Sequence, residues 1–208
     1  MTKKIIAVDL DGTLLNSESK LSDFTKETIK KISEKGHHVI ITTGRPYRMA
    51  KDFYRELELH TPMINFNGSL THLPGQAWEH EKCLTLDKKY LLDMVKRTED
   101  IQADFIAGEY RKKFYITTPN EEIADPKLFG VENFRPENQF KPERVTKDPN
   151  CILLQTRAED KYALADEMNR FYQHQLAINT WGGPLNILEC TPKGVNKSFA
   201  LEYLLNVM

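Results

Sequence analysis

A chain of 208 residues, 40% of them hydrophobic, has enough apolar mass to build one large domain or two small ones, which excludes disorder as its general description. Its 29 basic and 30 acidic residues nearly cancel and neither sign gathers in a block, so nothing marks a nucleic-acid footprint or an anionic membrane surface, and a small molecule is the expected partner. Asp9 and Asp11 interrupt the apolar stretch behind Lys3 and Lys4 too early for a secretory signal, and no segment reaches the length of a membrane span.

The three cysteines, Cys83, Cys151 and Cys190, are odd in number and widely spaced; they point to a reducing cytoplasm and each reads as a small buried hydrophobe. In chain order, Lys4 to Val8, Val39 to Thr42 and Met63 to Phe66 are short apolar runs rich in β-branched residues, the mark of buried parallel strands. Between the first two, the sequence predicts a helix with Ser22 as N-cap, an apolar stripe of Phe24, Thr28, Ile29 and Ile32, and Gly36 just past its end. A second helix starts at Pro46 and runs to about Leu57. Strand, helix, strand is the unit of an α/β sheet.

After Phe66 the pattern changes. Ser69 to Leu73 and Ala77 to Cys83 flank Pro74 and Gly75 as an antiparallel hairpin. Helices at Asp87 to Arg97 and Glu159 to His174 then alternate with strands at Ala103 to Ala107, Phe114 to Thr117, Cys151 to Gln155, Leu176 to Trp181 and Asn186 to Cys190. A Pro-rich irregular stretch spans Pro119 to Pro149. This middle block, residues 84–190, reads as a separate α+β domain, and residues 1–83 with 191–208 form the other, closing with a helix over Val195 to Val207.

Two segments carry chemistry. Asp9-Leu10-Asp11-Gly12-Thr13 follows the first strand at the sheet edge where open α/β folds bind ligands. Extended geometry sends Asp9 and Asp11 to one side and Leu10 into the core, and two carboxylates so close call for a cation or a shared proton. Gly12 permits a sharp turn, across which the Thr13 hydroxyl could bond. Thr42-Thr43-Gly44-Arg45-Pro46 follows the second strand and opens a helix, gathering a hydroxyl, exposed amides and a guanidinium into a ready phosphate site. His37, His38, His60, His72, His80 and His174 form no metal-ligand spacing, and no Walker A or dinucleotide signature is present.

Together these segments resemble the haloacid dehalogenase (HAD) superfamily, and in detail its Cof-type sugar-phosphate phosphatases. Asp9, Asp11, Gly12 and Thr13 match the first family motif and Thr43, in a Thr-Gly-Arg-Pro run, the second. Asn67 and Gly68 match the substrate-side loop, and Lys197, in Lys193-Gly194-Val195-Asn196-Lys197, the third motif. The resemblance implies a Rossmann-like, doubly wound parallel sheet as the HAD core, with the middle block inserted as an α+β cap. It implies a Mg²⁺-dependent phosphomonoester hydrolase acting on small phosphorylated metabolites, sugar phosphates or similar. Asp9 is then the nucleophile that forms an aspartyl-phosphate and Asp11 the acid and base. Thr43, Gly44, Arg45 and Lys197 hold phosphate, Thr13 and Asn67 position it, and the metal sits on the Asp9 carboxylate and the Asp11 backbone carbonyl.

One departure bears on activity. The family's fourth motif, Gly-Asp followed by Asn-Asp after the lysine helix, has no counterpart before Met208, so the core is expected to be incomplete, the chain truncated and a metal ligand missing. Mg²⁺ would then bind weakly, and the first strand would become an open edge prone to self-association. The competing expectation is a catalytically silent phosphate-binding or interaction fragment of the same fold. A phosphomutase of the superfamily, dependent on a bisphosphate activator, is a third.

Overall fold

The computed structural model describes residues 2–173 and 175–208, and its chain divides into two compact units, residues 1–83 with 195–208 and residues 84–194. In the first unit, β1 (Ile5–Val8) pairs in parallel with β2 (His38–Ile41), and β3 (Met63–Asn65) joins them through a parallel bridge between Thr42 and Ile64. α1 (Asp23–Glu34) and α2 (Tyr47–Glu56) pack one side of this sheet, with Ile29, Ala50 and Tyr54 against Val39, Ile41 and Met63. The alternate residues Ile40 and Ile64 face a helix from the end of the chain (Lys197–Val207), through Ala200 and Leu204. Period-two alternation thus feeds two helical layers, which makes the unit doubly wound.

Two expectations are corrected here. The first strand is only half-buried, with Ala7 exposed, because among the described residues β1 is paired along one side alone, whereas Val39, Ile40 and Ile41 of β2 are fully buried. Phe24 is not part of an apolar stripe: it is 80% exposed, and Ile29 carries the burial of α1. The cap of that helix does match, since the Ser22 hydroxyl accepts from Thr25 N at 3.1 Å.

The hairpin after β3 is shorter than expected: β4 (Leu70–His72) pairs antiparallel with both β3 and β5 (Lys82–Cys83), and residues 77–81 are irregular.

The second unit is built on a five-stranded antiparallel sheet. β6 (Ala103–Glu109), β7 (Phe114–Ile116), β8 (Cys151–Thr156), β9 (Leu176–Thr180) and β10 (Ile187–Pro192) lie in the order β7-β6-β8-β10-β9. Ile106, Ile152, Leu154, Leu188 and Cys190 pack against α3 (Lys88–Lys96) and α4 (Lys161–Phe171), which bring Leu91, Met94, Leu164 and Met168. The irregular stretch folds as short 3₁₀ turns, and its Phe129 stacks on Phe114 with ring centroids 4.7 Å apart. The helix expected to reach His174 ends at Phe171, and His174 itself lies outside the described residues. The last helix, α5 (Lys197–Val207), belongs to the first unit, and no helix among the described residues is long and apolar enough to cross a membrane.

Candidate active site

Beyond Val8 the chain leaves the sheet in a wide turn over Leu10–Leu14. Leu15 N donates to Leu10 O at 2.9 Å and Leu14 N to Asp9 O at 3.3 Å, while Asp9 Oδ1 accepts from Leu10 N at 2.8 Å. Leu10 is fully buried and Asp11 exposed, as the alternation required. The expected Thr13 bridge is not seen among the described residues: Thr13 is exposed, and backbone bonds close the turn.

Thr43, wholly buried, stitches β2 to the loop after β3: its N donates to Ile64 O at 2.9 Å, and its carbonyl accepts from Asn67 N at 3.1 Å. Its hydroxyl accepts from Arg45 N at 3.1 Å, tightening the entry to α2, where Pro46 stands as N-cap. A Cβ on Gly44 would sit 3.1 Å from the Asn67 amide nitrogen, so glycine makes the room into which Asn67 folds. Phe66 and Asn67 are both left-handed, with φ of 50° and 51°, a conformation that costs non-glycine residues on the order of 1 kcal/mol each and collects at functional sites.

Gly68 extends that run with φ +113°, and its position explains why the loop bends so hard. A Cβ there would lie 2.4 Å from the carbonyl oxygen of Asn196, the N-cap of α5. The loop therefore rests directly on the start of that helix, and Lys197, its first residue, reaches Asp9 with Nζ 2.5 Å from Oδ2. α5 is also held from β5 and the residues before it, by Lys82 Nζ 4.7 Å over the Phe199 ring and by the Tyr203 hydroxyl donating to His80 O at 2.9 Å.

Asp11 has a cation of its own. Arg45 Nε donates to Oδ2 at 2.8 Å and Nη2 to Oδ1 at 2.6 Å, a two-point fork. The repulsion expected between neighbouring carboxylates is thus answered by one cation each, Lys197 for Asp9 and Arg45 for Asp11. The structure brings together Asp9 with Lys197, Asp11 with Arg45, and Thr43 and Gly44 with the Asn67 loop.

Sequence reasoning missed Asn65 and His72. Both are fully buried; the Asn65 amide donates to Arg45 O at 2.9 Å, and its Oδ1 lies 2.9 Å from His72 Nε2. The signal was a lone amide ending the apolar run Met63-Ile64, where a buried polar side chain must have partners.

Comparison with known proteins gives the family and the fold. The family model for haloacid dehalogenase-like hydrolases matches residues 6–208. A 5-amino-6-(5-phospho-D-ribitylamino)uracil phosphatase of Bacillus subtilis, YitU, is 29% identical over 203 residues, covering 95% of this chain and 73% of that protein. A putative phosphatase of Buchnera aphidicola subsp. Baizongia pistaciae is 42% identical over 205 residues, 98% of this chain and 74% of that one. Among solved structures, TM0651 from Thermotoga maritima superposes with a TM-score of 0.78 at 23% identity, over 100% of this chain and 76% of that one. The chain belongs to the haloacid dehalogenase-like hydrolase family, and the α/β fold and the family resemblance carried by its motifs are both borne out. It spans about three quarters of the length of these relatives.

The Asp9 carboxylate and the Asp11 carbonyl are hard oxygen donors of the kind Mg²⁺ takes, so the donor chemistry fits, although among the described residues no cluster of three or more His, Cys, Asp or Glu converges.

Proposed function

We propose that the chain is a phosphomonoester hydrolase acting on small phosphorylated metabolites through an aspartyl-phosphate. The observation that carries this reading is the contact of Lys197 Nζ with Asp9 Oδ2 at 2.5 Å, at the carboxyl end of a parallel strand. An ammonium there orients the nucleophilic oxygen and offsets the negative charge that a phosphoryl group adds. Family membership supports the reading, as does a relative named for a ribityl phosphate substrate.

In the first step an Asp9 oxygen attacks phosphorus, the bond from phosphorus to the ester oxygen breaks, and Asp11 gives its proton to the departing alkoxide. In the second, water attacks the aspartyl-phosphate, its proton passes to Asp11, and inorganic phosphate leaves with the Asp9 carboxylate restored. In this reading Thr43 and Lys197 hold phosphoryl oxygens, and Thr13 and Asn67 help to position the ester. Mg²⁺, which the superfamily generally uses, would rest on the Asp9 carboxylate and Asp11 carbonyl and supply positive charge to the transferring group. Residues 84–190 serve as the substrate-selecting cap in this reading.

A second reading, a silent phosphate-binding module, is favoured by one observation: the carboxylates of Asp9 and Asp11 are both engaged by cations, and no cluster of three acidic or other ligating side chains joins them among the described residues. Phosphate release from a generic aryl phosphate with Mg²⁺ separates the two. The hydrolase releases phosphate, and Asp9→Asn lowers the rate by at least about 10³-fold. Binding of phosphate without release, indifferent to Mg²⁺, establishes the module instead.

A further inference from the structure

Arg45 was expected to meet phosphate, yet the fork formed by its Nε and Nη2 is taken up by the two oxygens of Asp11. The guanidinium is also fixed at its base. Arg45 N is held by the Thr43 hydroxyl at 3.1 Å, and its carbonyl accepts from the buried Asn65 amide at 2.9 Å and from Phe66 N at 3.4 Å. Asn65 is held in turn by His72, whose ring stands edge-on to Tyr47, the first residue of α2, at 4.9 Å. Phe53 lies under the guanidinium, 5.5 Å from its carbon. An arginine that only awaited an anion would not need a fully buried amide and imidazole to fix its backbone, because a long, flexible side chain finds an anion unaided.

We infer that Arg45 is a positioning residue for Asp11: it aims the Asp11 carboxylate at the ester's leaving oxygen, and the buried Asn65–His72 pair sets that aim. Planarity makes this possible, since a two-point fork fixes the plane of a carboxylate whereas a lysine ammonium fixes only a distance. Arg45 thus acts through Asp11 and does not replace Lys197 or Thr43 at the phosphoryl group. The inference rests on the hydrolase reading for its consequence and on geometry alone for its premise.

The test therefore begins without turnover. In the folded chain the Arg45 Nε–H resonance, identified by its loss in Arg45→Lys, should exchange with water about tenfold more slowly than that of the exposed Arg55. Asp11→Ala should remove that protection and Asn65→Asp should reduce it. A resonance whose protection survives Asp11→Ala overturns the inference, whatever the enzyme does. The second arm compares two esters at saturating Mg²⁺. Arg45→Lys should lower kcat for an alkyl phosphate, whose leaving oxygen needs Asp11, by about 30-fold, and for 4-nitrophenyl phosphate by less than about threefold, with KM for both changed less than about threefold. Equal losses for both esters carried in KM make Arg45 a phosphate ligand and also overturn it. If the wild-type chain hydrolyses neither ester, the hydrolase reading fails by itself, and the exchange measurement still decides whether Arg45 fixes Asp11.

Discussion

In residues 84–194 the antiparallel strands, five to seven residues long except for the three-residue β7, send alternate residues to a helix-covered face, and the registers run with a single irregularity, between Ala103 and Phe105. In the other unit the strands are two to four residues long, and the loop after β3 strings Phe66, Asn67 and Gly68 at positive φ in succession. The short-stranded unit holds every residue of the candidate site. Strain thus gathers in the loop beside the candidate site, whereas regular pairing dominates the other unit. The same kind of lesion should therefore read out differently in the two units.

The sharpest test is Gly68→Ala. The new Cβ would meet the Asn196 carbonyl at 2.4 Å in a backbone conformation, φ +113°, that alanine resists. We expect a loss of about 3 kcal/mol in denaturant unfolding. Because α5 must retreat, Lys197 would leave Asp9, and turnover should drop on the order of 100-fold even in the molecules that stay folded. Normal turnover in the folded fraction would mean that this close approach is packing alone, and the contrast between the units would lose its basis.

Its counterpart in the regular unit is Lys161→Met. Lys161 is buried at the start of α4, and its ammonium donates to the carbonyls of Trp181, Gly183 and Leu185 at 2.9, 3.1 and 2.8 Å, tying down the loop between β9 and β10. Methionine keeps the stem and strands the carbonyls, which should cost about 2 kcal/mol. Here we expect stability to fall while kcat changes by less than about threefold, since the chemistry lies elsewhere. A collapse of kcat would show that regularity and chemistry are not separated as the strands suggest.

Much of this division was legible beforehand. β-branched runs marked the strands, the Ser22 cap and Pro46 marked helix starts, and Asp9, Asp11, Thr43, Arg45, Asn67 and Lys197 were singled out by their motifs. Some of the rest lay outside any one-dimensional pattern. Phe24 satisfies a helical stripe but stands 80% exposed, a fact of tertiary packing that periodicity cannot carry. Asn65 and His72 are remote from the motifs in type as well as sequence, and only the turn of β3 into β4 sets them side by side. Arg45 was legible as a site residue but its partner was not, because a guanidinium suits a phosphate and a carboxylate equally.

The smallest effect concerns the thiols, where the expectation of burial held for two of three. Cys83, at the end of β5, is exposed, whereas Cys151 and Cys190 lie inside the regular sheet. Burial pushes the Cys151 and Cys190 thiols well above their ordinary value of 9.0, and the neighbouring Glu189 carboxylate adds to the rise. A pKa raised on folding favours the native state as long as the thiol stays protonated in both states. That contribution is complete below pH 9.0, where the unfolded thiol ionises, and is lost as pH climbs from there toward the folded value. An aromatic disulfide reagent at neutral pH should accordingly modify one thiol of the native chain at once and the other two only at the rate of unfolding. The slow pair should quicken in Lys161→Met, which loosens the unit that holds them, more than in Gly68→Ala, which does not. Equal acceleration by both variants would mean that the units unfold as one, and the contrast between them would be one of function without a counterpart in stability.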